Sequence, residues 1–219
     1  SLKSISGHSI HPYAGIEKSR NNFHYFTILR EPTKRMVSAY LHLKTRSNSE
    51  LDFNWFVHAQ HTQNIQTKII SDGYDLNDVI DIIQEKQIFI GLAELFDESL
   101  LLLKHLIAPD LNISYSRKNI GQSTLEKRDI LESEQKRKLL AQANSVDIEL
   151  YNYVKNELWP NYIKEYGKIF NQDLLDFQNK KHSFNMYNVY KSQIKGMYYK
   201  NRLLRKYHDI EKPMKYWVQ

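Results

Sequence analysis

The chain has 219 residues and no cysteine, and that absence removes several classes of protein at once. A disulfide framework, thiolate metal sites and cysteine nucleophiles are all excluded. A cysteine-free chain fits a reducing cytoplasm, which is the expected location. Also lacking is any apolar run long enough to span a bilayer. The longest, around Leu100–Leu103, has the length of a soluble helix. The N-terminus does not read as a secretory signal, and there are no internal repeats or low-complexity tracts. At this length, a hydrophobic content of 41% suffices for one α/β domain with a sizeable core.

Charge is unevenly placed. Residues 180–219 carry ten Lys or Arg against two Asp or Glu, whereas the net charge of the whole chain is only +6. The body is therefore close to neutral and the C-terminal end is basic, so a polyanionic partner would be drawn chiefly to that end. There Phe184, Tyr187, Tyr190, Ile194, Tyr198, Leu203, Leu204 and Tyr207 alternate with Lys191, Lys195, Lys200, Arg202, Arg205 and Lys206. A basic amphipathic helix accounts for this pattern. Packing its aromatic face on the domain is the default, with an acidic glycan, a membrane surface or another subunit as the alternatives. No nucleic-acid-binding motif accompanies it, and no nucleic-acid partner is expected. The expected division is an α/β domain over residues 1–170 and a helical extension over 171–219.

What is present is concentrated between Tyr25 and Tyr40. Tyr25–Leu29 is a short apolar, β-rich run, as for a parallel strand buried on both faces. Arg30 ends it abruptly. Pro32 suits the first position of a helix, with Glu31 as cap, and Met36, Val37, Tyr40, Leu41 and Leu43 follow on one apolar face. Arg30 then lies at the carboxyl end of a strand, where open α/β sheets place ligands. Ser38, on the second turn, could share an anion with it, helped by the N–H groups of the helix start. The alternative is that both residues only tie the loop and cap the helix.

Leu29-Arg30-Glu31-Pro32-x-x-Arg35-x-x-Ser38-x-Tyr40 resembles the L-R-D-P-x-x-R-x-x-S-x-Y motif of sulfotransferases that use 3′-phosphoadenosine 5′-phosphosulfate (PAPS). The nearest likeness is to the carbohydrate branch that includes heparan sulfate 2-O-sulfotransferase. In that family the first Arg and the Ser bind the 3′-phosphate of the nucleotide, which implies Arg30 and Ser38 here. Glu31 departs from the family's Asp, and Glu caps helices poorly, so a looser turn is expected. Gly7-His8 matches a Gly-His that precedes the motif at similar spacing, and its His is the family's proposed general base. Imidazole suits that task because it titrates near neutrality. The alternative is a solvated loop histidine, with His11 as the substitute base.

The resemblance runs from about Ile5 to Tyr153. Asn64-Ile-Gln66-Thr67-Lys68 resembles an N-x-Q-T-R stretch near the cleft, although a solvated helix face is the simpler reading of Gln66 and Lys68. Gly91-Leu-Ala-Glu94-Leu-Phe-Asp97-Glu98-Ser99-Leu100 resembles a strand-to-helix segment, with Ser99, Asp97 and Glu98 helping the helix begin. Glu94 is a lesser candidate for the cleft. The Arg117-Lys118-Asn119 loop resembles one that folds over the nucleotide, its alternative being a basic surface loop. Asp147–Val154 resembles a closing helix that packs on the sheet. Long helices are expected over Leu51–Ile70 and on either side of Asn144–Asp147, a shorter one over Leu76–Gln84, and a strand over Ile88–Gly91. His58 and His61 are three apart but lack a third metal ligand.

One family feature has no counterpart. PAPS enzymes begin with a strand and a glycine-containing loop whose backbone N–H groups and Lys hold the 5′-phosphosulfate. No convincing copy precedes Gly7, and Lys44–Ser49 is only superficially similar. The implied fold is P-loop-like α/β, with a parallel sheet flanked by helices. The implied reaction moves a sulfuryl group from PAPS to a hydroxyl, on a carbohydrate or an acidic polysaccharide. It leaves adenosine 3′,5′-bisphosphate and needs no metal. A Golgi location is the alternative if a membrane anchor precedes the chain. Two other functions stay open: an inactive domain holding an acidic glycan through its tail, and a kinase-like transferase, which would need acidic Mg²⁺ ligands.

Overall fold

In the computed structural model, residues 11–12, 24–47, 50–115 and 125–181 are described. The expected strand over Ser1–Ser6, His8, the Arg117–Asn119 loop and most of the basic tail lie outside them. Strand β1 (Phe26–Leu29) leads through Arg30 and Glu31 into helix α1 (Pro32–Ser47). Then come α2 (Phe53–His58), a 3₁₀ turn (Gln60–Thr62), α3 (Ile65–Ser71), α4 (Leu76–Glu85) and strand β2 (Phe89–Leu92). A second 3₁₀ turn (Ala93–Leu95) enters α5 (Phe96–Leu106). The chain continues as α6 (Leu125–Glu132), α7 (Glu134–Ala143), α8 (Ser145–Tyr153), α9 (Trp159–Tyr166) and α10 (Phe170–Lys181).

The two strands pair in parallel, Phe26 opposite Phe89 through Leu29 opposite Leu92, so both carboxyl ends open on the same edge. β2 is buried along its whole length, as expected of a central parallel strand. β1 is not: Leu29 is buried but Phe26 is 47% exposed. Among the described residues β1 has a partner on one side only.

Two apolar clusters support this frame. One gathers Leu29, β2, Ile83, Leu102, Leu150, Val154 and Trp159 around the sheet. The second joins Met36, Val37 and Tyr40 of α1 to Phe56, Val57, Ile130 and Leu140. Leu43, expected on the buried face of α1, is 41% exposed.

The long helices of the sequence reading are broken, each for a local reason. Leu51–Ile70 divides between His58 and Ile65, where a 3₁₀ turn over Gln60–Thr62 and a left-handed Asn64 (φ 45°) separate α2, capped by Asp52 accepting the Trp55 N–H, from α3. Ser133 likewise caps α7 through the Lys136 N–H. Between α8 and α9 the helix widens into a π turn over Val154–Leu158. Pro160 follows directly, and without an N–H it cannot continue the ordinary helical ladder.

Gly91 decides how closely α5 approaches the sheet. A Cβ there would lie 2.5 Å from Ile28 Cδ1 and 2.8 Å from Ser99 Cβ. Ser99 is fully buried, accepts the Leu92 N–H at 2.8 Å, and faces the carbonyls of Leu92 (2.9 Å) and Leu95 (2.7 Å). Glycine is thus needed because a serine fastens the helix to the strand at this point. Gly91→Ala should destabilise the fold by roughly 1–3 kcal/mol through overpacking. Urea unfolding measures it, and a midpoint equal to the unsubstituted protein's would refute the close approach.

Candidate anion site at the carboxyl edge of the sheet

The turn that leaves β1 has its backbone bound on every side. Gln66, itself 6% exposed at the start of α3, accepts the Arg30 N–H at 2.8 Å through Oε1. Its Nε2 donates to the Arg30 carbonyl at 2.9 Å. The Glu31 N–H donates to Glu94 Oε1 at 3.0 Å, and the Glu31 carbonyl accepts from the Arg35 N–H at 2.9 Å. No backbone polar group of this dipeptide is left to pair with solvent or ligand.

Glu31 caps α1 better than its residue type suggests. Its carboxylate accepts from the Thr33 N–H (3.1 Å), the Thr33 hydroxyl (2.8 Å) and the Lys34 N–H (2.8 Å). The extra methylene lets the side chain fold back over the first turn, so the expected looser turn does not occur. The cap also occupies the helix N–H groups expected to assist an anion, and recognition falls to side chains.

Gln66 is held in turn by Asp147, which is fully buried at the start of α8. Asp147 Oδ2 accepts the Gln66 N–H at 3.1 Å, and Oδ1 accepts the Thr67 N–H at 2.8 Å and the Thr67 hydroxyl at 2.7 Å. The exchange is reciprocal, because Asn64 Oδ1 accepts the N–H groups of Val146 (3.1 Å) and Asp147 (3.2 Å). The first turn of each helix is thus capped by a side chain from the start of the other. Arg35 lies in the same interior, its Nη2 3.4 Å from the Thr62 carbonyl and its Nε buried with no partner. Burial holds its pKa below the usual arginine value, the Asp147 charge opposes that shift, and Arg30 adds to it.

The Asn64–Lys68 stretch is therefore no solvated helix face. Asn64, Gln66 and Thr67 are buried, and Lys68 donates to the Gln60 carbonyl at 3.0 Å. Glu94 is exposed at the sheet edge, accepting the Tyr151 hydroxyl on Oε2 at 3.1 Å. Burial, the Glu94 charge and that hydrogen bond push Tyr151 up to about 12. An unfolded tyrosine titrates near 10, so the linked stability is complete below about pH 10 and is lost as pH rises through the folded value. Tyr151→Phe should remove that share of the alkaline loss. Thermal melts across this range test it, and identical profiles would refute the coupling.

Of the residues singled out in the sequence, Arg30 and Ser38 lie in this region, both partly buried. They do not bond to one another, and neither side chain has a hydrogen-bond partner among the described residues. The Arg30 charge lies near enough to Arg35 to help lower its pKa, and no ion pair engages the Arg30 guanidinium among the described residues. His8, Arg117, Lys118 and Asn119 lie outside the described residues. His11 places Nδ1 3.1 Å from the Ile69 carbonyl, three residues along α3 from Gln66. His58 bonds instead to the Asn54 carbonyl (2.8 Å) and His61 lies against Trp55 (6.3 Å between ring centroids). Among the described residues no acidic or histidine cluster could hold a metal.

Sequence reasoning missed Asp147 and understated Gln66 and Glu94. The N-x-Q-T pattern was the available signal for Gln66. The Asp147–Val154 likeness marked a closing helix, but nothing in it pointed to Asp147 acting across 80 positions. A cavity of about 850 Å³ lies elsewhere, between α5, Ile113–Tyr115 and α10, and does not include the Arg30 turn.

Open α/β sheets take their ligands at the carboxyl ends of the strands, which is where Arg30 lies in this mixed α/β domain. The Sulfotransferase family matches residues 5–154, well over half of the chain, and the protein belongs to that family. Its fold is accordingly the P-loop-like α/β fold, and its class of chemistry is sulfuryl transfer. No curated protein and no solved structure is matched.

Proposed function

We propose that this protein transfers a sulfuryl group from PAPS to a hydroxyl, with a carbohydrate or acidic polysaccharide as the acceptor. The observation that carries the reading is the Arg30 turn, whose backbone is bound throughout while its guanidinium has no hydrogen-bond partner among the described residues. A planar cation fixed in that way suits a phosphate dianion, and Ser38 can add a hydroxyl donor from α1. In this reading Arg30 and Ser38 hold the 3′-phosphate, and Arg117, Lys118 and Asn119 supply further contacts to the nucleotide. His8 takes the proton of the acceptor hydroxyl. The freed oxygen bonds to sulfur as the bond from sulfur to the 5′-phosphate oxygen breaks, leaving adenosine 3′,5′-bisphosphate. The carbohydrate acceptor rests on the likeness to the 2-O-sulfotransferase branch. The domain division at residue 170 and a cytoplasmic location are parts of the same proposal.

Calorimetric titration with adenosine 3′,5′-bisphosphate tests the nucleotide half. Saturable one-to-one binding is expected, and its absence would overturn the reading. A second reading draws on the basic 180–219 segment: an inactive domain that holds an acidic glycan. It predicts heparin binding that is lost on removing residues 180–219 and unaffected by Arg30→Ala.

A further inference from the structure

Gln66 touches nothing expected of a ligand contact, yet its carboxamide is committed to one residue. It accepts from the Arg30 N–H and donates to the Arg30 carbonyl, at 2.8 and 2.9 Å. Only a side chain that is donor and acceptor at once can make both bonds. Gln66 is not free to shift, because Asp147 fixes its N–H and the side chain is buried. Arg30, by contrast, has no side-chain partner among the described residues to orient it. The backbone fixes where the Arg30 side chain leaves the turn, and that backbone is held by Gln66. Glu94 completes the arrangement one residue later, on the Glu31 N–H.

We propose that Gln66 is a positioning residue for anion recognition, its carboxamide holding the Arg30 peptide so that the guanidinium fork meets a phosphate squarely. This rests on the reading of Arg30 as the 3′-phosphate ligand. A two-pronged contact needs a defined approach direction, whereas a point charge does not. Gln66 therefore matters to an arginine at position 30 and hardly at all to a lysine there.

The test is a cycle of calorimetric titrations with adenosine 3′,5′-bisphosphate, accompanied by thermal melts. Gln66→Met keeps the length of the side chain and removes both hydrogen bonds. It should weaken binding about tenfold in the Arg30 protein, and less than twofold in an Arg30→Lys background. Gln66→Glu, which can still accept the Arg30 N–H but cannot donate to its carbonyl, replaces it if the Met variant is unfolded at the assay temperature. Equal losses in both backgrounds would mean general damage and would overturn the inference. So would unchanged affinity in Gln66→Met while Arg30→Ala still loses binding, an outcome that leaves the nucleotide reading standing. No binding by the unsubstituted chain would remove that reading and the inference with it.

Discussion

Asp147→Ala should lower the unfolding free energy by about 3–5 kcal/mol, the range for breaking a buried charged network by removing one partner. The carboxylate is fully buried and accepts three hydrogen bonds, two from the first N–H groups of α3 and one from the Thr67 hydroxyl. Alanine would strand all three donors away from water. It would also leave Arg35, whose Nε already has no partner, without its counter-charge. Asp147→Asn keeps the shape and one good acceptor, so a smaller loss is expected from the neutral substitution. Urea unfolding separates the two variants. An Asp147→Ala protein as stable as the parent would show that the network is not a major source of stability. Where the variant stays folded, loosening at the start of α3 should reach Arg30 through Gln66, so nucleotide affinity should fall as well.

This chain of effects also marks what the sequence could and could not disclose. The strand–Arg–helix unit was legible because an apolar run, a proline and a 3.6-residue period are all local signals. The parallel sheet and the short helix α4 follow the same kind of pattern, whereas the packing of Leu150 and Val154 on the sheet was implied by the family resemblance. The polar groups that position Arg30 were illegible for the opposite reason. Asn64, Gln66 and Thr67 read as part of a solvated helix face, and only the placement of Asp147 shows that they are interior. Glu31 misled as well: average capping preferences rank it below Asp, but they do not describe a longer side chain folding back onto its own helix. The breaks at Asn64 and before Pro160 defeated a reading by apolar periodicity, because periodicity is blind to a single left-handed residue or a missing N–H.

Arg30→Ala should weaken adenosine 3′,5′-bisphosphate binding by about 100-fold or more, the effect of losing two charge-assisted hydrogen bonds at roughly 1.5–3 kcal/mol each. The neighbouring cation cannot take over, because Arg35 is partly buried, in contact with the Thr62 carbonyl and drawn to the charge of Asp147. Nor can the helix start, whose N–H groups Glu31 already occupies. Ser38→Ala removes one neutral donor and should cost about tenfold at most. Arg30→Lys keeps the charge without the fork and should fall between these values, with a steeper loss as salt is raised, since a single point charge is more readily screened. Calorimetry at two salt concentrations distinguishes these cases. If Arg30→Ala binds as tightly as the parent, the dianion is read elsewhere, and the basic segment beyond residue 181 becomes the place to look. If binding is lost and the melting temperature is kept, the loss belongs to the guanidinium itself, because the backbone contacts from Gln66 and Glu94 do not depend on the side chain they position.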